Sequence, residues 1–590
     1  MKRILLPCLL LLSCVTAKAQ WSGSVDMSGG YGGVMSVDEE TRLHHWLGGG
    51  TFRLAYKTPK FQWNTTLGSS YERVSTEVER ISSVITDTQM ENAQLSCDLK
   101  SKLTNPWALS FRSDFIWTPS ALTRHRAWVL YGYRKESGEN LTTQDSGVNS
   151  FKDNTGVYFD MPLTKTHDAE VGYDVSRRLR EPDRILGGSV SVHSFFKDQQ
   201  TQWLVYEDKA DSPEILSIYA ITPQSARTEV KMQAYLKDSV FTSSSVPVLL
   251  NTGIRLSGSL TKDLNSGATL ISRDPVVWQD STSLREDFSF LTMLAEPYLQ
   301  ADFKWKDITF HADYGIQLYS RRLSSDLHPK SGLDFVRPSL VGNSRVEWKV
   351  SPGHTLTLGS TSSVKHPDYL QICWYERQGT YLTQIYRGST SLRSTRTHGF
   401  NLGYKYQYKR FSANLTAKAT RRLGEIDQTY NNEDIGGKTY QVFTWVNASD
   451  SWILGLEPRL VWVGKYIHGN LGANMNQSFL KSRTTGEVKK THDWGITGGF
   501  SVLPGKGWSV VADVKYHSSV SSFFTSFSEY WTLNVKVQKA FKHITLYLQG
   551  RDLLDHPVST EFNSADGMQY WREESRLNRR LIVLGGNWKF

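Results

Sequence analysis

Glu207, Asp208, Asp211 and Glu214 put four carboxylates within eight positions, a density that can attract calcium. They lack the glycine and the ligand spacing of a calcium loop, so a solvated acidic loop is the better reading. His44-His45 is a bare pair, which is more often exposed polar sequence than a metal site. No His-Glu-x-x-His, Walker loop, nucleophile elbow or Cys-x-x-Cys occurs anywhere in the chain. No catalytic, cofactor-binding or metal-binding residue is therefore assigned, and the sequence is not read as an enzyme. A different feature stands out. From Arg377 to Gly424 there are ten Lys/Arg and not one Asp or Glu. Cations facing a narrow aqueous passage concentrate anions, so the use of this run depends on what encloses it.

The elements that must position these residues are bounded by composition. The chain has 590 residues, 39% hydrophobic and 21% charged, with mean hydropathy −0.42. That is too polar for a helical membrane protein and too apolar for a disordered one. Aromatic residues reach 12%, including 19 Trp, yet no long apolar run carries them. Half-buried, alternating β-strands account for both facts. The formal charge of +10 would fit a nucleic-acid partner, but the N-terminus argues against one. Lys2 and Arg3 precede the apolar stretch Ile4 to Leu12, and Ala17-Lys18-Ala19 forms a small-x-small cleavage site before Gln20. Residues 1–19 are thus read as a signal peptide cut between Ala19 and Gln20. A competing lipidation at Cys14, after Leu11-Leu12-Ser13, fits less well. Only Cys97 and Cys373 remain beyond the signal, and one bridge cannot staple a chain of this length.

Alternation then runs through the chain. Phe52, Leu54 and Tyr56 oppose Arg53, Ala55 and Lys57; Leu299 to Trp305 and Ile308 to Ile316 flank a turn at Lys306-Asp307. Phe400 to Tyr408 alternates with Asn401 to Lys409, and Phe411 to Ala417 follows Lys409-Arg410. Short turns are expected at Pro59, Asn105-Pro106, Lys306-Asp307, Ser351-Pro352-Gly353, Lys409-Arg410, Pro504-Gly505 and Phe541-Lys542. Long polar loops are expected at 76–88, 320–334, 366–395, 423–437, 480–490 and 553–576. Short turns at one end and long loops at the other describe a transmembrane barrel. We expect an all-β fold: one antiparallel barrel over 20–590, of about 22 strands within a range of 18–24. Pairing in 120–155 and 196–290 is not readable. Phe52, Leu54, Phe303 and Phe310 should meet lipid, and Arg53, Asn64 and Lys304 the interior. On the same alternation Lys405, Lys409 and Lys418 are candidate luminal cations. The other use of the basic run is that Arg387, Arg393 and Arg396 hold lipopolysaccharide phosphates while luminal lysines pair with acids of other strands. The many Trp residues are read as membrane-interface girdles rather than sugar platforms.

Leu584, Gly586, Trp588 and Phe590 share one face of a closing strand that ends in an aromatic residue. This resembles the assembly signal of outer-membrane proteins, with Gly585, Trp588 and Phe590 matching and Val583 departing from it. Lys365-His-Pro-Asp-Tyr-Leu370, Tyr386-Arg-Gly388, Leu392-Arg393 and Phe400-Asn-Leu-Gly-Tyr404 follow Phe335-Val-Arg-Pro-Ser-Leu340. In that order they resemble the C-terminal barrel of TonB-dependent receptors, as do Met161-Pro-Leu163 and Arg551 to Asp555. The likeness spans about 50–590, and Ser389, Ser391 and Ser394 depart from its usual residues. Such receptors carry a plug domain ahead of the barrel, and residues 20–50 are too few for one. The resemblance implies an integral protein of the Gram-negative outer membrane, without a plug of its own, acting as a channel or transport component. The alternative is a docking barrel that holds partners or surface polysaccharide through its loops; an outer-membrane enzyme is more remote. Expected partners are outer-membrane lipid and lipopolysaccharide, the barrel-assembly machinery through the last strand, and a separate plug or surface lipoprotein. No nucleic acid and no cofactor is expected.

Overall fold

A computed structural model describes residues 20–590 apart from 36–41, 86–91, 149–150, 180–183, 208–213, 241–245, 247, 273–286, 326–333, 373–375, 379–383, 436–437, 523, 555, 557, 564–568 and 578–579. Its wall is a closed barrel of 22 antiparallel strands, each hydrogen-bonded to the next in chain order. The first strand, Gln20–Met35, pairs with Arg42–Lys57 on one side and with the last, Leu581–Lys589, on the other. Closure leaves no strand edge in lipid, where an unpaired backbone amide has no substitute for water. Short turns at 58–60, 121–122, 306–307, 352–353, 409–410, 506–507 and 541–543 lie at the end that holds Gln20 and Phe590. The longest connections, 366–394 and 552–580, lie at the other end, which fixes the turns as periplasmic and the loops as extracellular.

The outer face explains the aromatic content. Trp46, Leu67, Trp117, Leu299, Trp305, Phe400 and Trp462 all expose large apolar surface. Aromatic side chains recur ten residues apart on single strands, as Trp21 and Tyr31, Trp46 and Tyr56, Trp107 and Trp117, and Trp452 and Trp462, and again from Trp531 to Phe541, one residue beyond its strand. An even spacing keeps both on one face, and ten residues at about 3.3 Å cover about 33 Å of strand. Tilted by about 40°, that is about 25 Å, the height of an apolar band between two girdles. Phe303 and Phe310 stack across a turn on this face, 4.7 Å between ring centroids. Arg53 instead reaches Asp26 on the inner face at 2.6 Å.

Several expected loops are strand. The wall strands Phe61–Ile85, Asn92–Ser120, Phe411–Ile435 and Lys438–Val463 run 25 to 29 residues, far beyond a bilayer. Above the membrane both faces are wet, so the alternation that marks a strand in sequence fades while backbone pairing continues. Asn105-Pro106 is accordingly not a turn: Asn105 and Pro106 pair with Ser137 and Glu136 inside Asn92–Ser120, and the chain turns at Ala121-Leu122. The unreadable stretch 196–290 takes in the end of Ile185–Glu207 with Glu214–Val240 and Val248–Ser272, each antiparallel to the next with one register shift per pair. Loop strands complete this collar. Gln569–Leu577 pairs with the upper half of Phe61–Ile85, covering an edge that the shorter Arg42–Lys57 cannot reach.

Candidate functional site: a polar lumen under an inward-folded loop

Alternation turns every second side chain of each wall strand inward, and these side chains build charge networks between neighbouring strands. Asp114 accepts from Arg112 at 2.7 Å and Arg126 at 2.8 Å, and Trp128 Nε1 donates to Glu170 at 2.8 Å. Arg255 bridges Glu296 at 2.6 Å and Asp313 at 3.2 Å, with its guanidinium 3.9 Å from the Tyr298 ring centroid. His193 meets Asp168 and His311 meets Asp302, at 2.5 and 2.6 Å. Further round, Asn476 and Asn534 donate to Asp493 and Asp513. The result is a lining in which cations and acids of neighbouring strands repeatedly pair. It is also wet: the side chains of Arg53, Lys231 and Arg345 are 56%, 60% and 60% exposed within the lumen.

The candidate cations divide. Lys405 lies on the inner face between Thr355 and Asn414 and, among the described residues, forms no ion pair. Lys418 is also on that face and donates to Glu457 at 2.5 Å. Lys409 is in the turn, with φ 50°, its ammonium 5.1 Å from the Tyr408 ring centroid. It resembles Lys306 beside Trp305 at the equivalent turn. Both are cations reaching past a girdle ring into the interface, so Lys409 is not a wall residue of the lumen. Of the basic loop residues, Arg387 forks onto Glu433 at 3.1 and 3.2 Å, and the Arg393 amide donates to Asn447 Oδ1 at 2.8 Å. Arg396 lies on the strand Thr395–Tyr408, paired with Val364 and Leu423.

Gly585, Trp588 and Phe590 lie on the strand that seals the barrel. Tyr547 lies against Gly585 so closely that any Cβ there would collide with its ring. The terminal Phe590 carbonyl accepts from Gly23 N at 3.1 Å, and Gly23 O accepts in return from Phe590 N. Val583, the residue that departs from the assembly pattern, pairs with Gly30 and is fully buried. Ala19 and the rest of 1–19 lie outside the described residues, whereas Gln20 opens the first wall strand. Cys373, Asp208, Asp211 and the side chains of Cys97, His44, His45, Glu207 and Glu214 also lie outside them; the Glu207 and Glu214 backbones close a hairpin.

Sequence reasoning missed the most constructed part of the molecule, the segment 366–394. It leaves the top of His354–Lys365 and folds over the inner face of Phe288–Trp305 and Ile308–Ser325. Ile372 and Leu392 bury themselves against Phe288, Phe290 and Leu323, with Tyr369, Ile426 and Trp445 around them. Asp368 Oδ1 accepts from Gln371 N while Gln371 Oε1 accepts from Asp368 N, closing a one-turn helix at Tyr369–Ile372. Arg321, buried, donates to the Leu392 carbonyl at 3.1 Å. His366 stacks on Tyr319, 3.6 Å between centroids. Its Nε2 donates to Gln317 Oε1 at 2.9 Å, leaving Nδ1 to accept from Ser394 Oγ at 2.8 Å. That is a neutral imidazole, and burial, helped by Arg321, holds its pKa down to about 4. The clue in the sequence was His366-Pro-Asp-Tyr-Leu370 itself, a dense capping and aromatic cluster inside a supposed polar loop.

A family model described as the outer membrane protein beta-barrel family matches residues 248–588, more than half of the chain. No curated protein matches the sequence. Among solved structures, the siderophore receptor PirA from Pseudomonas aeruginosa is similar over 97% of this chain and 80% of its own, at 9% identity and TM-score 0.54. The ferric-catecholate import receptor Fiu from Escherichia coli K12 covers 96% and 82%, at 11% identity and TM-score 0.58. The FrpB iron transporter from Neisseria meningitidis covers 99% and 83%, at 9% identity and TM-score 0.55. At such identities the likeness is one of fold: these are receptor barrels of the TonB-dependent type. With the closed wall, the girdles and the matched profile together, the chain belongs to the outer membrane protein beta-barrel family and is an integral protein of the outer membrane.

Proposed function

We propose that the protein is a transport component that passes solute through its own lumen, gated at the extracellular mouth by the segment 366–394. The observation that carries this is the inner face: charged side chains on strand after strand stay water-exposed, beneath a loop that is docked rather than part of the wall. A 22-strand barrel encloses more space than its own wall side chains fill. Residues Gln20–Lys57 are the first two wall strands, which supports reading 20–590 as one barrel with 1–19 as its removed signal. A stopper would then come from the loops or from a separate plug or surface lipoprotein. The last strand, through Gly585, Trp588 and Phe590, is the part offered to the barrel-assembly machinery. Enzymatic activity forms no part of this reading.

The test is single-channel recording in a planar bilayer, comparing the native barrel with one in which 368–392 is replaced by a short Gly-Ser linker. Native protein should be closed or flicker, and the linker variant should show large, stable steps. Silence in both would sink transport through the lumen. It would favour the docking reading, which the apolar core under the loop also suits, because such a core fixes a loop in place.

A further inference from the structure

The outward girdle at the extracellular end is interrupted. On many strands its level is held by rings such as Tyr31, Trp46, Trp107, Trp452 and Trp531. On five successive strands, Glu214–Val240 through Asp334–Ser351, the same level carries Val230, Gly258, Ala295, Leu318 and Pro338. These shorter side chains leave an almost wholly apolar recess of about 580 Å³ on the lipid-facing surface, with Met293 in its wall. Two cations stand just above it. Lys262 shares the face of Leu256 and Leu260, and Arg322 that of Ile316 and Leu318, all of them exposed outward. The register Leu260–Leu291–Arg322 beside Lys262–Ser289–Ser324 puts the two cations on either side of the strand Phe288–Trp305. With strands about 4.8 Å apart and a two-residue offset of about 6.6 Å along the strand, their backbones are about 12 Å apart, a distance two long side chains can close around one anion. Among the described residues neither is in an ion pair.

We propose that this recess, with Lys262 and Arg322 above it, binds one phosphorylated, multiply acylated glycolipid of the outer leaflet. An acyl chain lies where the girdle is missing, and a phosphate is held between the two cations at the membrane surface. The height decides the occupant. The apolar space ends at the interface, and the positive charge begins there, which is the order of chain and phosphate in a lipid. The phosphate would take charge-assisted hydrogen bonds from both side chains in a zone where water competes less than in bulk. The inference rests on the membrane placement of the barrel and is independent of whether the lumen conducts.

Native mass spectrometry of the full chain in detergent tests it, after addition of bisphosphorylated hexa-acyl lipid A, its dephosphorylated form, or phosphatidylglycerol. Wild type should retain the phosphorylated glycolipid about tenfold more than the dephosphorylated one, as two charge-assisted bonds imply. Lys262→Gln/Arg322→Gln should lose that preference, and Ala295→Phe, which fills the recess, should lose both lipids. Arg421→Gln, at a cation over the intact girdle residue Trp452, should behave as wild type. Heat-modifiable migration on gels confirms that each variant is folded. A preference that survives the double substitution, equal retention of phosphatidylglycerol, or a dimer abolished by Ala295→Phe without any lipid effect would each overturn the assignment.

Discussion

At Gly585 the physics is one of space. The Tyr547 ring fills the volume in which any other residue would place its Cβ, on the strand that closes the wall against Gln20–Met35. Overpacking of this kind costs about 1–3 kcal/mol. Gly585→Val should therefore lower the yield of folded barrel, and adding Tyr547→Ala should restore much of it, as read by heat-modifiable mobility after refolding. If the second substitution rescues nothing, contact with the Tyr547 ring is not what requires a glycine at this position. The sequence identified Gly585 by likeness to a pattern; the pairing partner that explains it lies 38 positions away and is visible only in the register.

The segment 366–394 shows an element held by a titratable group. His366 in the docked loop is held near 4, and in an undocked loop it returns to the ordinary value of 6.5. The docked form thus binds fewer protons than the undocked form between those values. Docking is at full strength above about 6.5 and weakens steadily as pH falls towards 4. Hydrogen-exchange protection across 368–394, corrected for the intrinsic slowing of exchange in acid, should fall from pH 7.5 to pH 5, and His366→Phe, which keeps the stack on Tyr319, should flatten that response. An identical pH profile in the variant would assign the change to other groups.

For the whole molecule, net charge is a poor guide to selectivity because some luminal cations are paired with acids of neighbouring strands and others are not. Lys418 is compensated by Glu457 and Arg255 by two acids, whereas Lys405 is not paired among the described residues. In a conducting barrel, Lys405→Glu should move the reversal potential towards cations. Glu457→Gln, which frees Lys418, should move it towards anions. Lys409→Glu should leave it unchanged, since that residue points from a periplasmic turn. Reversal potentials in a salt gradient, indifferent to all three changes, would remove these charges from the conduction path and leave the cations a structural role.

By itself the sequence determined the class of object. The period-two alternation of Phe52 to Lys57 and Leu299 to Ile316, the separation of short turns from long loops, and the aromatic closing strand together require a closed outer-membrane barrel. Each of these signals is local, set by lipid on one face and water on the other. Only the tertiary structure decided what the barrel contains. Polar segments above the membrane remain strands because pairing needs no hydrophobic contrast, so sequence read them as loops. Lys409 sat on the right parity but one residue beyond its strand. The docking of Ile372 and Leu392 onto Phe288 and Phe290, and the pairing of Lys418 with Glu457, join residues far apart in the chain. Such contacts leave no periodic trace, because their partners are chosen by the closure of the wall and not by neighbours in the chain.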